Sequence, residues 1–140
     1  MNLAHKTAIS RKKPSVPASF LSGEGLLVGR VLDFGCGQGM DANAYGLEKY
    51  DPYYAPEMPI GRFETVVCNY VLNVAVKEKE QAILEEIKDK LVVGGIAYIT
   101  VRRDIVTEGK TKKGTFQRNV LLDLPKVKET SRFCIYKLVN

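Results

Sequence analysis

Residues 30–51, R-VLDFGCGQGM-DANAYGLEKY-D, leave this chain few ways to fold. A short apolar run, Val31 to Phe34 with Asp33 inside it, stops at Gly35, and Gly37 and Gly39 follow at alternate positions. That pattern is a buried parallel strand, a tight glycine turn and the start of a helix. The glycines permit backbone angles closed to other residues, and without a Cβ they let a ligand lie against the main chain. The turn is therefore a cofactor seat.

Two cofactor classes use such a turn. A dinucleotide needs G-x-G-x-x-G, with amides at the helix start facing a pyrophosphate. Here the third glycine comes one residue early and residue 40 is Met. Asp33, two residues before the first glycine, repels a pyrophosphate and attracts a cation. S-adenosylmethionine carries an ammonium and a sulfonium. Asp51 lies eighteen residues after Asp33, about the interval at which a carboxylate on the next strand takes ribose hydroxyls.

These residues resemble a known family. D-F-G-C-G-Q-G at 33–39 is similar to motif I of the class I S-adenosylmethionine-dependent methyltransferases, F-E-T-V-V-C-N-Y-V-L-N-V at 63–74 to their fourth-strand motif, and K-L-V-V-G-G-I-A-Y-I-T at 90–100 to the helix-turn-strand that follows. More narrowly, H-K-T-A-I-S-R at 5–11 and D-P-Y-Y at 51–54 resemble methyltransferases associated with DNA phosphorothioation gene clusters. The resemblance implies an α/β fold: a minimal Rossmann-like sheet of order about 2-1-4-5-7-6 in the family's strand labels, with helices on both faces. It implies that S-adenosylmethionine, leaving as S-adenosylhomocysteine, contacts Asp33, Gly35, Cys36, Gly37, Gly39, Asp51, Pro52, Tyr53 and Asn69. Asn69 and Tyr70 fall at the position bordering the transferred methyl group.

The chain departs from the family between Asp51 and Phe63. Only eleven residues, PYYAPEMPIGR with three prolines, stand where the family has a helix and a strand. A parallel crossover needs a dozen or more residues and a helix does not tolerate that proline spacing. The usual second helix and third strand are thus expected to be missing, with the adenine-contacting acid the family carries there. Tyr53 and Tyr54 are the local substitutes, either stacking on adenine or covering the sheet edge.

At 140 residues the chain is long enough to bury roughly two-thirds of its unfolded surface. We read residues 1–16 as a basic N-terminal segment and 17–140 as one methyltransferase-like domain. Cys36, Cys68 and Cys134 are far apart and odd in number, which fits reduced thiols better than disulfides or a metal site. The absence of a long apolar run and of a signal-peptide pattern leads to the expectation of a cytoplasmic protein with no membrane partner. Net charge is +5, segregated as +4 over residues 1–30, −5 over 31–101 and +6 over 102–140. Basic ends on an acidic body suit a polyanion such as nucleic acid, held by residues 5–13 and 102–118. Solvated faces carry such charge too.

Along the chain, Ser15 and Pro17 are suited to cap and open a short helix, with Phe20, Leu21, Leu26 and Leu27 packing it on the sheet. Met40 to Tyr45 makes a short helix, Leu47 to Tyr50 a strand and Phe63 to Tyr70 another. Ile83, Ile87 and Leu91 at a spacing of four predict a helix over Lys77 to Val92, stopped by Gly94-Gly95. A strand over Ile96 to Val101, a basic mobile loop over 105–118 and two antiparallel strands near Asn119 to Leu124 and Arg132 to Leu138, joined through Pro125, complete the reading. The exposed sheet edge is a place for self-association.

Three functions compete. Methyl transfer to nucleic acid fits the charge and the absence of room for a substrate cap, with Asn69 accepting from an amino group and Tyr70 stacking on its ring, unless the two only shape the cofactor pocket. A small-molecule or protein substrate is the second reading. A partner subunit that binds S-adenosylmethionine without transferring it is the third, since no general base stands out and the only histidine is His5.

Overall fold

The computed structural model describes residues 4–8 and 12–140. Ser15 opens α1 (Val16–Gly23): its hydroxyl accepts from the Ala18 amide at 3.3 Å, and Pro17 occupies the first turn. Strand β1 (Val31–Phe34) leads through the glycine turn into α2 (Met40–Tyr45), which ends at Gly46 in the left-handed region. Strand β2 (Glu48–Tyr50) and strand β3 (Phe63–Asn69) flank β1, both parallel to it. No helix or strand lies between β2 and β3, so the expected deletion is real. Helix α3 (Glu80–Asp89) then feeds β4 (Leu91–Arg102). A hairpin of β5 (Gly109–Lys110) and β6 (Phe116–Gln117) and the pair β7 (Lys126–Glu129) and β8 (Phe133–Val139) complete the chain.

The main sheet runs β2-β1-β3-β4-β8-β7, which is the order 2-1-4-5-7-6 once the missing third strand is counted. One face packs on α1 through Leu21, Val31, Val67, Tyr98 and Ile135. The other packs on α3 through Leu32, Cys68, Ile87, Leu91 and Ile99. Edge strand β2 is short and bears the exposed Lys49, features that discourage pairing with another edge.

Three boundaries differ from the sequence expectation. Helix α3 stops at Asp89, and the Lys77–Lys79 stretch before it is a separate 3-10 turn. Leu91 keeps the helix's spacing of four yet is the first residue of β4, so Gly94 and Gly95 lie inside a strand rather than ending a helix. They allow its register to slip, Phe63 pairing with Leu91 but Thr65 with Ile96. Residues 119–124 are not a strand. Val120 and Leu122 are buried and Leu121 is exposed, the alternation of a strand, but the ladder begins only when Lys137 donates to the Pro125 carbonyl at 2.9 Å. Pro125 therefore precedes β7 instead of joining the two last strands. The basic 105–118 stretch is likewise ordered in part as the β5–β6 hairpin.

Candidate functional site

The C-terminal ends of β1, β2 and β3 bring the sequence-selected residues together. At the end of β1 the Gly35 and Cys36 amides both donate to the Tyr50 carbonyl of β2, at 2.7 and 3.0 Å, and the Gly39 amide donates to the Cys36 carbonyl at 3.0 Å. The Gly37 amide donates to Asp51 Oδ2 at 2.8 Å. These four amides of the turn are engaged within the protein, which leaves them unavailable to a phosphate. What it offers a ligand is bare backbone. Gly35 sits at φ +83°, where a Cβ would lie 2.3 Å from Val71 Cγ2, so no side chain fits.

Asp51 is the joint between turn and edge. Its Oδ1 accepts from the Tyr53 and Tyr54 amides at 2.9 and 3.1 Å. One lone pair of Oδ2 remains beside the Gly37 bond, enough for a single ribose hydroxyl. Pro52 is exposed in the turn that an Asp51–Ala55 bridge closes. Tyr53 stacks on His5, ring centroids 4.0 Å apart and planes at 11°, and meets Tyr54 edge-on at 4.8 Å. The two segments that carry the narrower resemblance thus touch. Ala8 stands 3.3 Å from where a Gly37 Cβ would be, so residues 5–8 lie across the crevice from Tyr53 to the glycine turn. Residues 9–11 of the first segment, Arg11 among them, fall outside the described residues.

Asp33 is buried beneath the turn, and its carboxyl is pushed up to about 8, first by burial and then by the charges of Asp41 and Asp51. A neighbouring cation would relieve all three effects. Asp41 itself is tied down: Ser15 donates to it from its backbone amide and from its hydroxyl, both at 2.7 Å, fixing α1 to α2. Burial chiefly pushes the half-buried Cys36 thiol up to about 12, too high for a nucleophile at neutral pH.

Asn69 ends β3 with both side-chain amide atoms buried and without a partner among the described residues, and Tyr70 follows at φ +65°, the one non-glycine residue among them in the left-handed region. Thr100 of β4, opposite Asn69 in register, has an equally orphaned hydroxyl. Sequence reasoning missed Thr100, because a threonine in an apolar strand gives no signal of its own.

The basic residues of 102–118 divide into two groups. Arg102 pairs with Asp104 at 2.9 Å and Arg103 with Glu129. Arg118 is buried, donating to the Ala75 carbonyl at 2.7 Å and to Glu80 at 2.9 Å. It holds the chain after β3 to α3 and cannot reach a phosphate from there. Lys110, Lys112 and Lys113 are exposed.

Two grooves lie elsewhere. One of about 620 Å³ runs between residues 76–80 and the β5–β6 hairpin, and one of about 460 Å³ lies between Leu26, Val28 and Val93 to Tyr98. Neither includes the glycine turn, whose crevice residues 5–8 cover. Among the described residues no cluster of three or more His, Cys, Asp or Glu could hold a metal, and no helix is long and apolar enough to cross a membrane.

No protein-family model matches the chain, and no curated protein matches it in sequence. Solved structures do match. The 1,6-didemethyltoxoflavin-N1-methyltransferase of Burkholderia thailandensis, bound to 1,6-didemethyltoxoflavin and S-adenosylhomocysteine, is 16% identical with a TM-score of 0.65 over 87% of this chain and 76% of that one. DhpI in complex with SAH is 14% identical with a TM-score of 0.59, over 86% and 81%. TehB from Haemophilus influenzae is 13% identical with a TM-score of 0.56, over 91% and 62%. Together with the strand order, these place the chain in the fold of the class I S-adenosylmethionine-dependent methyltransferases, shortened by one strand and one helix.

Proposed function

We propose that this chain is an S-adenosylmethionine-dependent methyltransferase. The observation that carries the reading is the glycine turn with its amides engaged, set between a buried Asp33 and an Asp51 that still has room for a ribose hydroxyl. That set suits a cationic nucleoside and not a diphosphate. The residues fit the cofactor by two tests: the bare Gly35–Gly37 backbone, and the Asp33 carboxyl, raised by burial and by Asp41 and Asp51, whose charge a cation would offset. Two of the matching structures hold its demethylated form, SAH or S-adenosylhomocysteine.

Bound there, the cofactor supplies an electrophilic methyl group. Asp33 meets its positive charge and Asp51 its ribose, while Tyr53 offers a ring face to the adenine. His5 and Ala8 close the crevice against water, and Asn69 holds the nucleophile by one of its hydrogens. Alignment of this kind contributes up to ~7–11 kcal/mol to a two-reactant step. An amine acceptor needs no general base on the protein, because it sheds its proton to water after transfer.

For the acceptor we infer nucleic acid, supported by the exposed Lys110, Lys112 and Lys113, the basic N-terminal segment and the narrower resemblance of residues 5–11 and 51–54. A small-molecule acceptor is the second reading, favoured by the pairing of Arg102, Arg103 and Arg118 with carboxylates and by the toxoflavin precursor in the Burkholderia enzyme.

Calorimetry with S-adenosylhomocysteine and transfer of labelled methyl from S-adenosylmethionine into DNA, RNA, tRNA and protein pools test the proposal. Asp51→Ala should weaken binding at least tenfold, as loss of a hydrogen-bonded charge worth ~1.5–3 kcal/mol requires, and NAD should not bind. Unchanged affinity in the variant refutes the site. Binding without transfer to any pool or small acceptor would make the chain a non-catalytic partner subunit.

A further inference from the structure

We infer that residues 5–8 form a strap over the cofactor crevice, and that a nucleic-acid backbone seated on Lys6, Lys12 and Lys13 holds this strap closed. The inference rests on the methyltransferase and nucleic-acid readings and adds how the acceptor controls retention of the cofactor. The strap is one 3-10 turn, Ala4–Thr7, followed by Ala8. The His5 ring lies 4.0 Å from that of Tyr53, and Ala8 Cβ stands 3.3 Å from where a Gly37 Cβ would be. A nucleoside can therefore enter or leave only when the strap lifts. Lifting breaks little: among the described residues no hydrogen bond or ion pair ties His5, Lys6 or Ala8 to the body of the domain. A few residues on, the chain is fastened, because Ser15 donates to Asp41 from its amide and its hydroxyl, both at 2.7 Å.

Charge supplies the partner. Lys6 is exposed on the strap, Lys12 and Lys13 are exposed just before Ser15, and no acid precedes Glu24 in the chain. Unlike Arg102, Arg103 and Arg118, these lysines have no ion pair among the described residues. Gly37 and Asp41, on which Ala8 and Ser15 rest, are four residues apart and so within about 14 Å of each other. With the strap down, Lys6 is thus gathered with Lys12 and Lys13 above one turn; with the strap lifted, it leaves them. A phosphodiester backbone gains affinity with each cation it meets, so it binds the closed strap more tightly than the open one. An enclosed cofactor favours the same position. Two ligands that bias one element in the same direction strengthen each other's binding, and by the same factor.

The test is calorimetry with S-adenosylhomocysteine on the full chain, alone and with a saturating DNA duplex of mixed sequence at low salt. His5→Ala removes the ring stack, so the strap is closed for a smaller fraction of the time and the apparent affinity falls by that fraction, severalfold. Saturating DNA should restore most of the loss, because it closes the strap through a different contact. In the double variant His5→Ala, Lys6→Ala, which keeps Lys110, Lys112 and Lys113 for DNA, it should restore none. A loss that DNA leaves unchanged would mean that His5 merely touches the cofactor, and overturns the inference. Full affinity in His5→Ala overturns it too, as does a recovery that survives Lys6→Ala. Recovery with polyglutamate as complete as with DNA replaces the nucleic acid by an acidic protein and overturns the partner. If the wild-type chain binds no S-adenosylhomocysteine, the methyltransferase reading falls first; if it binds that ligand but no DNA, the nucleic-acid reading falls first. This inference falls with either.

Discussion

Asp33 makes the stability of this protein depend on pH in a direction opposite to that of most carboxylates. Its folded value is about 8 against 3.8 for an ordinary aspartate. Between those values the folded chain keeps a proton that the unfolded chain has released, so raising the pH favours unfolding. The stabilising effect of that proton is complete near pH 4 and is gone above pH 8. Each pH unit in the window removes about 1.4 kcal/mol, so wild-type protein should lose about 3 kcal/mol between pH 5 and pH 7. The lowered carboxyls of Glu48 and Glu129, held down by Arg30 and Lys126, act only below the ordinary glutamate value and leave this window alone. Asp33→Asn keeps the shape and removes the titration. Urea denaturation at pH 5, 6, 7 and 8 should give a falling series for the wild type and a flat one for the variant, which becomes the more stable of the two at pH 8. Saturating S-adenosylhomocysteine, whose ammonium offsets the buried charge, should flatten the wild-type series as well. Parallel slopes for wild type and variant would refute the argument, because the pH dependence would then come from another group.

Three further outcomes follow from the same geometry. Arg118→Leu leaves Glu80 and the Ala75 carbonyl without their donor in a buried setting and should cost about 3–5 kcal/mol by urea denaturation; a loss below about 1 kcal/mol would show that solvent already shares the pair. Deleting residues 1–13 should leave cooperative unfolding intact, since the Ser15 cap and its bonds to Asp41 remain, yet weaken S-adenosylhomocysteine binding severalfold by removing His5 and Ala8 from the crevice; unchanged calorimetry would make the segment a mere tail. Replacing Lys110, Lys112 and Lys113 together by alanine should flatten the salt dependence of nucleic-acid binding by about 0.7–0.9 for each phosphate that is no longer neutralised, and a wild-type chain that binds no nucleic acid at low salt hands the lead to a small-molecule acceptor.

What could be read from the sequence was what is decided locally. Ser15 before Pro17, three glycines after a four-residue apolar run, and prolines too close for a helix each act within a few residues, and the elements they imply are present. The misplaced elements turn on distant partners. Leu91 continues the periodicity of Ile83 and Ile87, and only the backbone of Phe63 makes it a strand residue. The in-out-in pattern at 120–122 is common to a strand and to an extended segment laid over a core. Asn73 had no signature at all. It is buried because its side chain bonds the Arg102 amide and carbonyl and the Arg118 carbonyl, joining three segments that sequence spacing does not connect. Thr100 escaped for the opposite reason: its hydroxyl bonds nothing among the described residues.

The missing strand explains why the N-terminal segment matters to the site. Residues 52–62 cross from β2 to β3 without a ladder, and the gap is sealed by other means. Met58 packs on the α3-side core, Lys90 Nζ donates to the Pro59 carbonyl at 2.9 Å, and Arg30 lies over the Phe63 ring at 4.3 Å while it clamps Glu48 with two bonds. These contacts close the lower part of the sheet edge. At its upper end the glycine turn and Asp51 need only β1 and β2, so they survive the deletion intact. The adenine-contacting acid that the family resemblance implies after the absent strand has no counterpart here. Tyr53 is left 60% exposed on the Asp51–Ala55 turn with one ring partner on its face, His5. On the function proposed above, the shortened sheet leaves one wall of the crevice to residues 5–8, which precede α1 in the chain, and cofactor affinity should be sensitive to whatever engages them.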